Sequence, residues 1–398
     1  MIDIKIAQLP INMSSACQPE GFGYEMSEKV QKFHSSFPEY QATPLVNLKH
    51  LAKELNVSNI YVKDESYRFG LNAFKVLGGS YCIANYIAEK AGISIDEMTY
   101  ERLLSEEIRN KTGDLTFITA TDGNHGRGIA WTANRLKQNS IVYMPKGSAK
   151  ERLDNIKALA TNACITEYNY DDTVRKATKD AQESNWILVQ DTSWDGYEQI
   201  PKWIMQGYLT LGNEIVHQLN DEDFELPTHI FLQAGVGSMA AAIAAFFVDV
   251  YKNSGKTPII TIVEPDKADC FYKTAAANDG KIHIVDGEMK TIMAGLACGE
   301  PCTIAWDILK EFAEFYISMP DEPAANGMRR LGHPLDGDTK IISGESGASA
   351  IGFVIEVLQN PELQPIKEQL RLNSKSRILC ISTEGDTDKE NYKKIVES

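Results

Sequence analysis

Strand-like and helix-like segments alternate along most of this sequence, and this alternation restricts the fold more than any other feature. The strand-like segments are short runs rich in β-branched and aromatic residues, and the helix-like segments repeat their apolar residues with an α-helical period. The predicted strands are Ile60–Lys63, Leu115–Thr119, Ser140–Met144, Cys164–Glu167, Ile187–Gln190, His229–Gln233, Pro258–Val263 and Arg377–Ser382. The predicted helices are Ala73–Lys90, His125–Lys137, Lys150–Ala160, Asp172–Ser184, Lys202–Leu219, Met239–Lys252 and Ser346–Leu358. Alternation of this kind forms right-handed βαβ units around a mainly parallel sheet, so the predicted fold class is α/β.

The chain is long enough for more than one domain, but no segment has the composition of a linker. Its 398 residues correspond to two or three domains of about 150 residues each. Repeats, low-complexity tracts and Pro/Gly/Ser-rich stretches are absent from the sequence. We therefore predict two interwoven domains, each with a mainly parallel twisted sheet flanked by helices. The smaller domain is placed at residues 85–170, inserted into a larger domain formed by residues 1–84 and 171–398.

Charge and apolar pattern argue against several classes of partner. With 40 basic and 55 acidic residues the net charge is −15, so no broad basic face is expected for nucleic acid or anionic lipid. The longest apolar run, Met239–Val248, has about half the length of a membrane-spanning helix. Asp3 and Lys5 stand where a secretory signal would carry a positive cluster and then an apolar stretch. We expect a cytoplasmic protein that binds neither nucleic acid nor membrane.

The cysteine and histidine residues show no pattern typical of a metal site. Seven histidines are dispersed, and Cys298 and Cys302 lack a matching ligand pair, so no metal is predicted. The seven cysteines are scattered, and most are expected to be reduced residues of the protein interior. A bridge from Cys270 to Cys298, or from Cys298 to Cys302, remains open as a secondary alternative.

The first candidate functional segment is Asn72-Ala73-Phe74-Lys75, which is followed by Gly78 and Gly79. Asn72 is predicted to cap a helix, which places Lys75 in the first turn, where the helix dipole disfavours the ammonium form. A neutral amine is the form that makes a Schiff base. The two glycines would let a flat ring approach the helix backbone. On these residues alone, a solvated lysine on an amphipathic helix is the alternative.

Two glycine-containing turns each follow a predicted strand and open a predicted helix. They are Thr121-Asp122-Gly123-Asn124-His125-Gly126 and Ala234-Gly235-Val236-Gly237-Ser238-Met239. Turns of this kind direct backbone N–H groups outward, which suits a carboxylate or a phosphate. An ordinary capped turn is the alternative for the first. For the second, alanine at position 240 leaves a weak nicotinamide-binding alternative, because that motif accepts alanine as its third small residue.

The order of these three segments resembles the fold type II pyridoxal-phosphate enzymes, the superfamily of tryptophan synthase β and threonine dehydratase. Longer strings are similar to the diaminopropionate ammonia-lyase family, over about Tyr40 to Asp388. These strings are Val62–Ser66, Arg68–Lys75, Gln190–Thr192, Ile200–Pro201, Trp203–Tyr208, Val263–Pro265, Ile292–Leu296, Ser343–Gly347 and Ser382–Thr387. Residues before about Pro38 carry little of this resemblance.

The resemblance implies pyridoxal 5'-phosphate as the cofactor. Lys75 would form the Schiff base, and the loop of Gly235, Val236, Gly237, Ser238 and Met239 would bind the phosphate. Asn124 would donate a hydrogen bond to the ring hydroxyl oxygen. Thr383 would face the pyridine nitrogen, with Ser382 as its nearest rival. A hydroxyl partner does not enforce protonation of that nitrogen as an aspartate would, so the ring would be a gentler electron sink.

The substrate inference depends on Asp122, which replaces the small residue that precedes Gly-Asn in most dehydratases. Its carboxylate would repel a substrate carboxylate unless the substrate brings a second ammonium group, as a diamino acid does. Asp191, at the end of a strand, is predicted to be a further anchor. Thr121, Gly123 and His125 complete the predicted substrate-binding set. A solvated helix cap is the alternative for Asp122.

The expected reaction is the elimination of ammonia from 2,3-diaminopropionate, which gives pyruvate and two ammonia molecules. We expect Lys75, Asp122 and Asp191 to be the catalytic residues, with Lys75 as the base for one enantiomer and Asp122 for the other. Two alternatives remain at this stage: a serine/threonine-type dehydratase on the same fold, and a non-catalytic binding protein. The superfamily resemblance also implies a homodimer.

Overall fold

The computed structural model describes residues 2–11, 20–121, 123–252, 254 and 256–397 and divides the chain into two compact units. The larger unit comprises Met1–Tyr24, Ala42–Tyr67 and Leu211–Ser398, and the smaller unit comprises Glu25–Gln41 and Arg68–Thr210. The smaller unit contains the predicted small domain, residues 85–170, and extends beyond it on both sides; the limits 85 and 170 remain a prediction. Each unit has its own sheet flanked by helices, so the predicted α/β class is confirmed.

Strands and helices alternate through most of the described chain. The strands are β1 (Lys5–Gln8), β2 (Leu45–Asn47), β3 (Asn59–Asp64), β4 (Thr116–Ala120), β5 (Asn139–Met144), β6 (Asn162–Ile165), β7 (Ile187–Leu188), β8 (His229–Gln233), β9 (Ile259–Pro265), β10 (Phe315–Met319) and β11 (Arg377–Ser382). The helices up to β8 are α1 (Tyr24–His34), α2 (Lys49–Glu54), α3 (Val76–Ala91), α4 (Tyr100–Leu103), α5 (Glu106–Thr112), α6 (Asn124–Arg135), α7 (Lys150–Lys157), α8 (Tyr170–Ser184), α9 (Gln199–Gly207) and α10 (Leu209–Asp221). The later helices are α11 (Ser238–Tyr251), α12 (Cys270–Ala277), α13 (Thr303–Phe312), α14 (Asp321–Gly332), α15 (Ser349–Gln359), α16 (Gln364–Gln369) and α17 (Lys389–Val396). Short 3-10 helices lie at Glu65–Gly70, Ile95–Glu97, Ala294–Leu296 and Pro361–Leu363.

The sheet of the larger unit has the strand order β1-β10-β9-β8-β11-β3-β2. The strands from β10 to β3 run parallel, and β1 and β2 pair antiparallel at the two edges. All five residues of β8 and all five of β10 are buried. Such continuous burial is typical of parallel strands that are covered by helices on both faces. The carboxyl ends of β8 and β11 are followed by the predicted phosphate loop and by Thr383.

The sheet of the smaller unit is parallel throughout, with the order β6-β5-β4-β7. Successive side chains of a strand point to opposite faces, so neighbouring residues of β5 enter different cores. Ile141 packs with Ala177 and Ala181 of α8, and Val142 packs with Ala130 of α6 and Ile156 of α7. Helices on both faces therefore hold the carboxyl end of β4, where the Thr121 turn begins.

Several elements differ from the sequence prediction. The single helix predicted over 202–219 is two helices, α9 and α10, separated at Tyr208. The prediction also misses β1, β2 and β10. The first two are edge strands of four and three residues, too short to show a clear period. β10 follows α13 with no glycine or proline between them, and a short apolar run in that position is not distinguishable from helix.

Three further sequence expectations bear on the described residues. Within the described ranges, no helix combines the length and the apolar character that crossing a bilayer requires. The described part of the chain also contains no cluster of His, Cys, Asp and Glu suited to a metal ion. None of the six cysteines in the described ranges is part of a disulfide, so the alternative of a Cys270–Cys298 or Cys298–Cys302 bridge is wrong.

Candidate active site

Lys75 lies at the N-terminus of α3, in the smaller unit. It occupies the N-cap position, with φ −61° and ψ −18°. The prediction that Asn72 caps this helix is wrong, because Asn72 lies three residues before the cap position and has φ +59°. Asparagine adopts this left-handed conformation more readily than most residues, so the chain can turn here before the helix begins.

The Lys75 ammonium is held by Asp191. Lys75 Nζ donates a hydrogen bond of 2.7 Å to Asp191 Oδ2, and the exposed fractions of the two side chains are 17% and 4%. Burial by itself raises the pKa of the Asp191 carboxyl, but the charges of Lys75 and His125 and the hydrogen bond from Lys75 outweigh it and lower the pKa to about 2. The ionised carboxylate favours the ammonium form of Lys75. This charge opposes the helix dipole, on which the expectation of a neutral amine depends, and that expectation stays a prediction.

His125 is the third member of this group. Its Nδ1 lies 3.9 Å from Asp191 Oδ2, and the distance from its Nε2 to the Val189 carbonyl oxygen is 2.8 Å. Because a carbonyl only accepts, Nε2 carries the proton in this bond. The imidazole is thereby oriented by the same segment that carries Asp191. The structure brings Lys75, Asp191 and His125 together; their predicted roles remain predictions.

Glycines allow the neighbouring helices to approach α3 closely. A Cβ on Gly128 of α6 would lie 2.9 Å from the Val76 backbone nitrogen, and one on Gly78 would lie 2.7 Å from Ile204 Cγ2 in α9. A Cβ on Gly79 would lie 3.0 Å from Ile129 Cδ1 in α6. Helices therefore occupy the space beside Gly78 and Gly79, and the interpretation that these glycines admit a flat ring is wrong.

The turn after β4 begins with Thr121, whose hydroxyl caps α6. Thr121 Oγ1 accepts hydrogen bonds from the backbone N–H of Gly123 at 2.9 Å and of Gly126 at 3.1 Å. Gly123 has φ +154°, which side chains rarely adopt. Asn124 is the first residue of α6 and borders a small hollow together with Leu71. Asp122, the predicted second base, lies outside the described residues. The substrate and cofactor contacts predicted for this turn remain predictions.

The predicted phosphate loop, Gly235 to Met239, lies between β8 and α11 in the larger unit. Gly237 is the N-cap of α11 and has φ +89°. A Cβ on Gly237 would lie 2.3 Å from the Phe271 ring, and one on Gly235 would lie 3.1 Å from the Gly295 carbonyl oxygen. Phe271 and the backbone of Gly295 therefore pack closely against this loop. The first turn of a helix has N–H groups without intrahelical acceptors, so such a loop suits a phosphate.

Thr383 follows β11 and is 5% exposed. Gln233, the last residue of β8, donates hydrogen bonds from Nε2 to Thr383 Oγ1 at 3.1 Å and to the Ile381 carbonyl at 2.8 Å. The rival Ser382 is fully buried and donates from its hydroxyl to Ser343 Oγ at 2.7 Å. The Ser382 hydroxyl is thus used in a contact inside the larger unit, and Thr383 remains the better candidate for the pyridine nitrogen.

Two glutamines near these residues were not predicted. Gln233 donates a hydrogen bond to the Thr383 hydroxyl. Gln190, which directly precedes Asp191, hydrogen-bonds through its side chain to Ala120 at the end of β4. In the sequence each closes a predicted strand and directly precedes a candidate functional segment. A polar residue at the end of an otherwise apolar strand is the signal that would have identified both.

Comparison with known proteins places this group of residues in a family. Residues 37–383 match the family described as pyridoxal-phosphate dependent enzyme, and the chain belongs to that class. A diaminopropionate ammonia-lyase from Salmonella typhimurium is 48% identical over 372 residues, which are 93% of this chain and 92% of the relative. Within the class, the chain belongs to the diaminopropionate ammonia-lyase family. This confirms the resemblance carried by the motifs.

Two solved structures of diaminopropionate ammonia-lyase from Escherichia coli are similar over nearly the whole chain. The holo form has a TM-score of 0.91 and 46% identity, covering 99% of this chain and 97% of the other. The complex with an aminoacrylate-PLP azomethine reaction intermediate has a TM-score of 0.90 and 45% identity, covering 100% and 97%. The cofactor of the present chain is accordingly pyridoxal 5'-phosphate.

The residues of the chain fit this cofactor. The smaller unit supplies a lysine amine at a helix N-terminus, with 17% of its side chain exposed. The larger unit, taken by itself, contains a glycine loop at the N-terminus of α11, in which a Cβ on Gly237 would lie 2.3 Å from the Phe271 ring. It also supplies the Thr383 hydroxyl, ordered by Gln233. An amine for an aldehyde, a helix terminus for a phosphate and a neutral hydroxyl for a pyridine nitrogen match the chemistry of the group.

Proposed function

We propose that this chain eliminates ammonia from 2,3-diaminopropionate and thereby gives pyruvate and two molecules of ammonia. The observation that carries the proposal is the Lys75 amine, which is partly exposed and held 2.7 Å from the ionised Asp191 carboxylate at the N-terminus of α3. The relatives that share nearly half of its residues are diaminopropionate ammonia-lyases. The reaction requires loss of the α-proton, cleavage of the bond from Cβ to nitrogen, and hydrolysis of the resulting 2-aminoacrylate by water.

Pyridoxal phosphate supplies an electron sink for the charge that develops at the α-carbon. Lys75 would hold this cofactor, and with substrate bound the Lys75 amine would accept the α-proton. Asp191 stabilises the ammonium that forms, because its carboxylate lies within hydrogen-bonding distance of Lys75 Nζ and the charge of that ammonium lowers the pKa of the carboxyl. The same Lys75 ammonium can return its proton to the departing amine, which leaves poorly unless it is protonated.

The remaining predicted residues bind and orient. We propose that the Gly235 to Met239 loop binds the phosphate through N–H groups at the start of α11. We also propose that Asn124 donates to the ring hydroxyl oxygen and that Thr383 faces the pyridine nitrogen. Gln233 supports the assignment of Thr383, since its hydrogen bond to Oγ1 fixes the rotation of that hydroxyl. A hydroxyl at this nitrogen suits elimination better than long-lived carbanion chemistry.

We propose Asp122 as the second base and as the partner of the second substrate ammonium, with Asp191, Thr121, Gly123 and His125 completing the substrate site. The support is the family resemblance together with the sequence position of Asp122, between Thr121 and Gly123. Replacing Asp122 with Asn should abolish turnover of one enantiomer of diaminopropionate and reduce the other far less. Equal losses for both enantiomers would exclude the two-base assignment.

Two measurements on the purified protein test the function. Pyruvate release should be much faster from 2,3-diaminopropionate than from serine, whereas a serine/threonine dehydratase would show the reverse. Borohydride reduction followed by peptide mass analysis should place the pyridoxyl group on the peptide that contains Lys75. A colourless protein that borohydride does not change would be a non-catalytic binding protein, and the lyase proposal would be abandoned.

We further propose that the protein works in the cytoplasm as a homodimer. The cytoplasmic location is a proposal from the sequence, in which the seven cysteines are scattered rather than arranged as a disulfide framework. The homodimer follows from the family resemblance. Light scattering during size-exclusion chromatography should give a mass near twice the 44.3 kDa of one chain.

A further inference from the structure

The main chain leaves the sheet of the smaller unit one residue before Asp191. Val189 N–H still donates to the Ile118 carbonyl of β4, at 2.8 Å. Gln190 N–H instead donates to Tyr197 Oη at 2.9 Å, and that hydroxyl donates in turn to the Leu188 carbonyl at 2.9 Å. The tyrosine hydroxyl thus closes the turn by which the chain departs from β4.

The side chain of Gln190 makes the hydrogen bonds to β4 that the backbone of a continuing β7 strand would make. Its Oε1 accepts from the Ala120 N–H at 3.1 Å, and its Nε2 donates to the Ala120 carbonyl at 3.0 Å. In a parallel pair, alternate residues direct both their N–H and their C=O to the same neighbouring strand. A carboxamide has the same donor and acceptor as a peptide group, so Gln190 continues the pairing of β4 beyond the end of β7.

The remaining hydrogen-bonding capacity of this carboxamide is also used. Thr119 Oγ1 donates to Gln190 Oε1 at 3.1 Å, and Gln190 Nε2 donates to Tyr170 Oη at 2.9 Å. The residue is fully buried. Two acceptor positions and two donors are therefore all satisfied, which leaves this side chain a single conformation.

We propose that Gln190 is a positioning residue that fixes Asp191 relative to Lys75 and to the turn that begins at Thr121. Gln190 directly precedes Asp191 in the chain, and its side chain hydrogen-bonds to the backbone of Ala120, the residue just before Thr121. One buried side chain therefore sets the separation between two segments that bear candidate site residues. The inference rests on the proposed role of Asp191 in the lyase reaction and extends it.

The test compares Gln190→Met with Gln138→Met in the holoenzyme. Gln138 is the matched control, because its Oε1 accepts from the Leu115 N–H at 2.7 Å and so holds the opposite end of the same strand. Gln190→Met should lower kcat for diaminopropionate about ten- to a hundredfold, because a displacement near 1 Å at a reacting group costs about that much. The Schiff-base absorbance should be unchanged. Gln138→Met should stay within about twofold of the wild type.

A double-mutant cycle with Asp191→Asn separates positioning from general damage. If Gln190 acts through Asp191, Gln190→Met should have little further effect on kcat in the Asp191→Asn background. Multiplicative losses, or equal losses in the Gln190 and Gln138 variants, would overturn the inference. Should Gln190→Met fail to fold, Gln190→Glu replaces it in the cycle, since it keeps an acceptor for the Ala120 N–H and loses the donor to the Ala120 carbonyl.

Hydrogen exchange gives a readout that does not depend on turnover. In Gln190→Met, exchange should accelerate in residues 187–191 and at the carboxyl end of β4, whereas Gln138→Met should accelerate exchange only near Leu115. Unchanged exchange at 187–191 would refute the coupling. If the wild-type protein released no pyruvate from diaminopropionate, the proposed function would fail, and these exchange rates would still decide the positioning role.

Discussion

Two lysine–carboxylate pairs, one in each unit, have the same length and different surroundings. In the larger unit, Lys63 Nζ lies 2.7 Å from Glu214 Oε2, and neither side chain is exposed to solvent. In the smaller unit, Lys75 Nζ lies 2.7 Å from Asp191 Oδ2, and 17% of the lysine side chain is exposed. The distance between the charged atoms therefore does not distinguish a structural pair from the pair that we propose to be reactive.

The acceptors around Lys63 account for this difference. Its ammonium donates to the Thr43 carbonyl at 2.7 Å and to Gln218 Oε1 at 2.8 Å, in addition to Glu214. An ammonium has three donors, so these three acceptors saturate it. A small molecule has no route to a side chain with no exposed surface. Lys63 therefore joins elements of the larger unit, whereas Lys75 keeps the access that a covalent role requires.

The largest expected effect is that of Lys75→Arg. Arginine keeps the positive charge beside Asp191 but forms no Schiff base. The kcat for diaminopropionate should therefore fall by about 10²–10⁴-fold. Absorbance of the bound cofactor should shift to that of the free aldehyde, and the free energy of unfolding should change little. Lys90→Arg, at the exposed end of the same helix, is the control and should be fully active. A Lys75→Arg protein that keeps its Schiff-base absorbance would show that another lysine binds the cofactor.

Lys63→Met should have the opposite signature. Removing one partner of a buried pair leaves the other charge uncompensated, which costs about 3–5 kcal/mol in the free energy of unfolding. Urea denaturation measures this loss, and Lys63→Met/Glu214→Leu should recover much of it. Lys53→Met, exposed on α2, controls for loss of a lysine. Folded Lys63→Met protein should keep its Schiff-base absorbance. If the variant folded normally but did not bind the cofactor, Lys63 could not be assigned a purely structural role.

The ion pair of Asp191 should make the free energy of unfolding of the cofactor-free protein decrease at low pH. The folded pKa of Asp191, about 2, is below the ordinary 3.8, so the folded state binds fewer protons than the unfolded state in this range. The contribution is complete above about pH 4 and is lost as the pH falls toward 2, and it amounts to about 2 kcal/mol. Urea midpoints at pH 5 and pH 2.5 measure the loss. Asp191→Asn should show a smaller decrease over that interval; an identical decrease would contradict the pairing.

The sequence predicts the parallel strands of both sheets better than it predicts the residues that order the site. Predicted strands at 229–233 and 377–382 coincide with β8 and β11, because buried parallel strands show continuous apolar runs with turn residues at their ends. The edge strands β1 and β2 lack that signal, since their identity depends on pairing with distant residues. Local pattern was sufficient for β8 and β11, whereas β10, which is equally buried, was missed because no glycine or proline separates it from α13.

The site shows the same division between local and tertiary information. Lys75 could be predicted from the sequence as the Schiff-base lysine, but its ion pair could not, because Asp191 lies 116 positions away in the chain. The role of the glycines in α3 could not be predicted from the sequence for the same reason. Their role depends on Ile204 and Ile129, which approach from other helices. Sequence motifs therefore identified the family and its cofactor, and tertiary contacts determine the geometry of the candidate site.

The smallest expected effect tests how closely α6 supports Lys75. In Gly128→Ala the new Cβ would meet the Val76 backbone at 2.9 Å, and backbone at the start of α3 cannot yield as a side-chain end does. Gly79→Ala is the matched control, because its nearest obstacle is the flexible end of Ile129, at 3.0 Å. Overpacking costs about 1–3 kcal/mol, and alanine returns up to about 1 kcal/mol of helix propensity. Gly128→Ala should therefore lose about 1 kcal/mol in urea denaturation and several-fold in kcat, while Gly79→Ala should be neutral or slightly more stable. If both variants kept full activity, the position of Lys75 would not depend on this helix contact, and Asp191 would remain as its main constraint.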